Sequence, residues 1–82
     1  MTLRRPRPGD SFVTPPYAQR RLAQRRIGRH EVEAVIRDPL TLEPSRHHPE
    51  QWVLTRTVLG RRLHVVVAPE LVEWVVVAAW ET

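Results

Sequence analysis

His64 sits in the run Arg62-Leu63-His64-Val65-Val66-Val67. An imidazole in an apolar strand either satisfies a hydrogen bond within the sheet or moves a proton. Its ordinary pKa of about 6.5 lets it do the second near neutrality. Tyr17, Arg21 and Arg25 recur at a spacing of four. On a helix that spacing makes one stripe, here a phenol and two guanidiniums. The guanidinium fork fits phosphate in bidentate geometry. Together these groups could hold a phosphodiester, stabilise charge on it and shift a proton.

Other chemistries lack their parts. The chain has no cysteine, which excludes disulfide scaffolds, Cys-ligated zinc, iron–sulfur clusters and thiol nucleophiles. Ser11 and Ser45 are the only serines, and neither lies in a Gly-x-Ser-x-Gly elbow. The three glycines are isolated, so no phosphate-binding loop exists, and no two carboxylates form an acid/base pair. His47-His48 is an adjacent pair and His30 opens a helix, without Asp or Cys at ligand spacing. Neither a metal nor a cofactor is expected, and these three histidines read as solvated. Trp74 and Trp80, six residues apart, are expected on one strand face, as core or as a stacking surface.

All 13 basic residues are arginine. Residues 1–38 carry nine of them against four acids, a net of +5; residues 39–82 carry four against five, a net of −1. The positive field is therefore confined to the N-terminal half, which points to a polyanionic partner, nucleic acid first. No apolar run approaches the ~18 residues of a membrane helix. The basic start lacks a following apolar stretch, so no signal peptide is read and a cytoplasmic location is expected.

These groups need a scaffold. Eighty-two residues make one small domain with a thin core. Residues 1–13, where Pro6 and Pro8 alternate with arginines, read as a flexible basic arm outside a domain spanning 14–82. A helix opens at Thr14 as N-cap, with Pro15 at the first helical position, and runs to about Arg26. After Gly28 a second helix spans Arg29 to Arg37. Glu31 reaches back to the cap backbone, and Val32, Val35 and Ile36 line one face. Asp38-Pro39 stops it. Strands follow at Leu40–Glu43, Gln51–Leu59, Leu63–Ala68 and Leu71–Trp80. A loop over 44–50 and tight turns at Gly60-Arg61 and Pro69-Glu70 separate them. The expected fold is α+β: two N-terminal helices packed on a four-stranded, mostly antiparallel sheet.

The run Tyr17-Ala18-Gln19-Arg20-Arg21-Leu22-Ala23-Gln24-Arg25-Arg26-Ile27 resembles a small bacterial family of unknown function. Its members open with His-Ala-x-x-Arg-Met-x-x-Arg-Gly-Ile. The likeness continues through Glu31–Ile36, Asp38-Pro39, Gly60–Val67 and Val75–Glu81. Such domains look like the RelE-type toxins and the wider barnase-, EndoU- and colicin-like ribonucleases. These cleave RNA without metal by attack of the 2′-OH on the adjacent phosphate. The resemblance implies a RelE-like fold, with His64, Arg21 and Arg25 as the catalytic site and Tyr17 orienting. This chain departs from the pattern at two positions: Tyr17 replaces the opening His, and Arg26 replaces the Gly.

The leading expectation is a metal-independent endoribonuclease of toxin–antitoxin type. His64 moves the proton, Arg21 and Arg25 hold the phosphate, and Arg20, Arg26 and Arg62 add RNA contacts. An antitoxin protein and a second copy of the chain are open as partners. Two alternatives remain: a non-catalytic RNA- or DNA-binding module, and an interaction protein that pairs through its arm or a sheet edge. For catalysis, the favoured geometry puts Val66 and Ala68 under the helices and His64 at the rim beside the arginine stripe.

Overall fold

A computed structural model describes residues 4–82. The first three residues of the expected arm lie outside them. The order is β1 (Phe12–Val13), α1 (Pro16–Gln24), α2 (Arg29–Arg37), β2 (Thr41–Pro44), β3 (Trp52–Val58), β4 (Arg61–Pro69) and β5 (Trp74–Glu81). The class is α+β, but the sheet has five strands, in the order β1-β5-β4-β3-β2. Strands β2 to β5 form an antiparallel meander, and β1 joins β5 in parallel. The expectation of four strands missed β1 because two residues carry no periodicity.

One face of the sheet carries the helices, α2 on β3 and β4 and α1 on β5. The core lies between. Leu22, Val32 and Val35 meet Leu54, Leu63, Val65, Val67 and Val76. Each such side chain contributes about 1.5–3 kcal/mol by leaving water.

Helix α2 has the expected bounds. Gly28 has no side chain to offer its cap, so only the Glu31 half of a capping box is made: the Gly28 N–H donates to Glu31 Oε1 at 2.8 Å. Helix α1 starts later than expected. Its N-cap is Pro15, with no side-chain cap bond, and Thr14 is not the cap. Its C-terminus is closed by a Schellman motif. Ile27 N–H donates to Leu22 O at 2.9 Å and Arg26 N–H to Ala23 O at 3.1 Å. Arg26 takes the left-handed conformation, φ 57°, which non-glycine residues adopt at a cost. The Gly of the family pattern that this run resembles falls at this Schellman position, and glycine takes the conformation without strain.

Both hairpins differ from the reading by local turn chemistry. The β3–β4 turn is Leu59-Gly60, with Val58 paired to Arg61, and not Gly60-Arg61. Both central residues have positive φ, 52° and 78°, as a type I′ turn requires. Between β4 and β5 the turn spans residues 70–73, closed by Glu70 N–H to Glu73 O at 2.8 Å. Leu71 and Val72 are therefore exposed at its tip, not in a strand.

Residues 4–13, expected as an arm outside the fold, lie on it. Arg4 stands 4.7 Å over the Trp74 ring, and its carbonyl accepts the Trp52 indole N–H at 2.9 Å. Pro6 is buried. Asp10 Oδ2 accepts from Arg7 N–H at 2.9 Å and from Trp74 Nε1 at 3.0 Å. The Arg7 backbone N–H holds the Asp10 carboxyl below its ordinary value, helped by the Trp74 bond and by the charges of Arg4 and Arg7, against the raising effect of burial.

Candidate functional site

Alternation along β4 decides where His64 points. Leu63, Val65 and Val67 belong to the core under the helices, so Arg62, His64 and Val66 face the other way. The geometry favoured from sequence, with Val66 and Ala68 under the helices, is corrected. His64 lies on the helix-free face of the sheet. It is half-buried there.

Its neighbours come from the strands on either side. Thr55, its cross-strand partner on β3, sets Oγ1 2.9 Å from His64 Nδ1. Thr82 sets Oγ1 2.9 Å from Nε2. Trp80, its partner on β5, stacks on the imidazole with ring centroids 5.1 Å apart and planes 18° from parallel. Burial, and then the charge of Arg62, push the His64 pKa below its ordinary value. At neutral pH the ring is therefore uncharged, the form that can accept a proton.

Trp74 and Trp80 do not share a face. The register slips between Val66 and Val67: Val67 pairs with Val76 and Val66 with Ala78. Val77 is the extra residue, and a one-residue slip exchanges the two faces of a strand. Trp74 is fully buried under the helices, whereas Trp80 opens onto the far face beside His64.

The arginine stripe reaches the edge of the sheet at Arg25. Arg25 Nη1 donates to Ala79 O at 2.7 Å. Thr82 N–H bonds Arg62 O, so the Arg62, His64 and Val66 pairs across β4–β5 are the hydrogen-bonded ones. The main-chain groups of Ala79 then point outward, away from β4. The Arg25 guanidinium thus lies on the outer edge of β5, between the two faces. Arg21 and Tyr17, one and two turns back along α1, are exposed. Arg20 and Arg26 are exposed as well. The catalytic set expected from sequence is thereby split: His64 and Arg62 share the open face, Arg25 stands at its rim, and Tyr17 and Arg21 belong to the helical layer.

Sequence reasoning missed Thr55, Thr82 and the role of Trp80. It also missed Arg61, which points to the helix side. Its Nη1 donates to Glu31 Oε2 at 2.9 Å and Oε1 at 3.1 Å and to Arg26 O at 2.9 Å, and its Nε to Glu81 Oε1 at 3.0 Å. Hydrogen bonding to Glu81, with the Glu31 charge, raises its pKa. Arg61 is a structural cation, and Glu31 is its buried partner.

The family described as Domain of unknown function (DUF4258) matches residues 17–81. The chain belongs to this family. The match runs from the second residue of α1 to the end of β5; residues 1–16, which include β1, and Thr82 lie outside it. No curated protein and no solved structure matches the chain. Among the described residues no helix is long and apolar enough to cross a membrane.

Proposed function

We propose that the protein is a metal-independent endoribonuclease whose site is the helix-free sheet face around His64. The likeness to RelE-type toxins suggests this reading, and two helices on one side of a largely antiparallel sheet agree with a RelE-like fold. The observation that carries it is an imidazole on the helix-free face, with Arg62 two residues away on the same side of β4 and Arg25 at the adjoining edge. In the proposed reaction His64 takes the proton of the RNA 2′-OH. The freed oxygen attacks the adjacent phosphorus, and the bond to the 5′-oxygen breaks. That oxygen leaves with a proton from solvent, and the product ends in a 2′,3′-cyclic phosphate. Arg62 and Arg25 stabilise the charge that grows on the phosphoryl oxygens. Tyr17 and Arg21, exposed on α1 in the helical layer, guide the strand.

The test is cleavage of single-stranded RNA by the purified protein in a chelator. Cyclic phosphate ends are the expected product. His64→Ala should abolish them, and Arg62→Ala should slow their formation by about 100-fold or more. Absence of cyclic ends from the wild-type reaction would remove the enzyme reading.

One observation favours a second reading, a non-catalytic RNA-binding module. Both ring nitrogens of His64 are held by threonines, so Nε2 must release Thr82 before it meets substrate. In that reading Trp80 and the arginines bind RNA, salt weakens the complex, and no cleavage follows.

A further inference from the structure

The loop between β2 and β3 folds back over the helix-free face. Ser45 N–H bonds Gln51 O and Gln51 N–H bonds His48 O, at 2.8 and 3.0 Å. Ser45 Oγ accepts the His47 and His48 backbone N–H groups, at 3.2 and 3.4 Å. This compact loop carries Arg46, His47 and His48 to the rim of a groove of about 590 Å³ whose floor includes Val66, Ala78 and Trp80. Glu43 and Gln51 add polar atoms to the wall. The volume falls within the roughly 300–1,000 Å³ of small-molecule sites, which pair an apolar surface with a few polar groups.

We infer that this groove is a subsite for one unpaired nucleobase of single-stranded RNA, next to the phosphate held at His64. The inference rests on the reading of the His64 face as an RNA site and extends it. Three observations support that occupant. Trp80 belongs to both places: it stacks on His64 and borders the groove, so a strand crossing the imidazole continues directly into it. The floor is apolar and the rim aromatic, the surface on which bases stack whatever their sequence. Arg46 supplies a cation for the following phosphate and offsets Glu43, whose carboxylate accepts N–H groups of a base edge. His47 and His48, expected only as solvated residues, then have a use as imidazole walls.

The experiment is a titration of the full chain with a 2′-deoxy trinucleotide, which cannot be cleaved, followed by NMR at about 150 mM salt. The second arm is the triple variant Arg46→Ala, His47→Ala, His48→Ala. The loop survives these changes because Ser45 bonds the main chain at 47 and 48. Shifts at the Trp80 indole and both imidazoles, with binding weakened about fivefold or more in the triple variant, support the subsite. Shifts confined to α1 and Arg62, equal affinity of the triple variant, or no binding by the wild type would overturn it. The ribonuclease reading is scored separately by cyclic phosphate ends on a ribo-trinucleotide. Groove binding without cleavage sinks that reading and keeps the subsite. Cleavage with a triple variant that binds as tightly as wild type does the reverse.

Discussion

His64 and Trp80 face each other across the β4–β5 ladder, their rings stacked at 5.1 Å. The contact exists because a bulge at Val77 turns the end of β5 over, bringing an indole onto the face that β4 alternation gives to His64. Thr55 and Thr82 then fix both ring nitrogens. A neutral imidazole donates from one nitrogen and accepts at the other, and a hydroxyl can answer either. The ring is held in position by three neighbours, and the two hydroxyls accommodate either tautomer.

Stability should depend on the charge of His64. Burial and Arg62 keep its folded pKa below the ordinary 6.5. The unfolded chain therefore binds a proton that the folded chain resists. This contribution is complete above about pH 6.5 and is lost as pH falls through 6.5 towards the folded value. Melting temperatures between about pH 8 and 5 should fall on acidification, and His64→Gln should flatten that part of the curve. Asp10, depressed from 3.8, has the carboxylate sign. Its contribution is present above 3.8 and lost only as pH falls below it, so the two windows separate. An unchanged slope in His64→Gln would contradict the assignment.

The N-terminal segment should matter to stability. Deleting residues 1–10 removes the Arg4 cation over Trp74, the Arg4 carbonyl under Trp52 and the Asp10 carboxylate on the Trp74 indole. A combined loss of about 1–2 kcal/mol lowers the melting temperature of a domain this size by roughly 4–16 °C. A calorimetric midpoint within a degree of the full chain would show that these contacts add nothing.

Arg26→Gly should stabilise the fold. Arg26 holds φ 57° at the Schellman position, where glycine avoids the steric clash of Cβ. Its carbonyl, which accepts from Arg61, is main chain and survives. A gain of roughly 1 kcal/mol is expected, read as a higher urea midpoint at unchanged slope. A loss would mean that the Arg26 side chain has a structural partner of its own.

Arg61→Ala should destabilise more than Arg56→Ala. Arg61 neutralises Glu31, whose side chain is 8% exposed, whereas the Asp38 partner of Arg56 is 79% exposed. Removing the partner of a buried charge is far costlier than breaking a surface pair. Adding Glu31→Gln to Arg61→Ala should recover part of the loss. Equal melting points for the two single variants would place Glu31 in solvent.

Much of the scaffold was legible locally. The bounds of α2 followed from Gly28, the Val32-Val35-Ile36 face and Asp38-Pro39, all short-range signals. The meander followed from alternation and short turns. The site was less legible, because it depends on register. Placing the turn at Gly60-Arg61 pairs His64 with Thr57; the actual turn at Leu59-Gly60 pairs it with Thr55. The reading failed there because leucine seldom takes positive φ, so the rule favoured Gly60 as the first turn residue.

Residue types and spacing alone decided the α+β class, the antiparallel run, the arginine asymmetry and the choice of His64 as a residue to watch. Tertiary structure alone decided what His64 meets. The bulge at Val77 acts within the β4–β5 hairpin, whereas the parallel pairing of Phe12 with Trp74 and the seating of residues 4–13 on two tryptophans join residues some 50–70 positions apart. Local patterning fixes which residues alternate, but which face receives the helices is set by these long-range contacts. A shift of one residue in register exchanges the faces, and with them the separation of His64 from the α1 arginines.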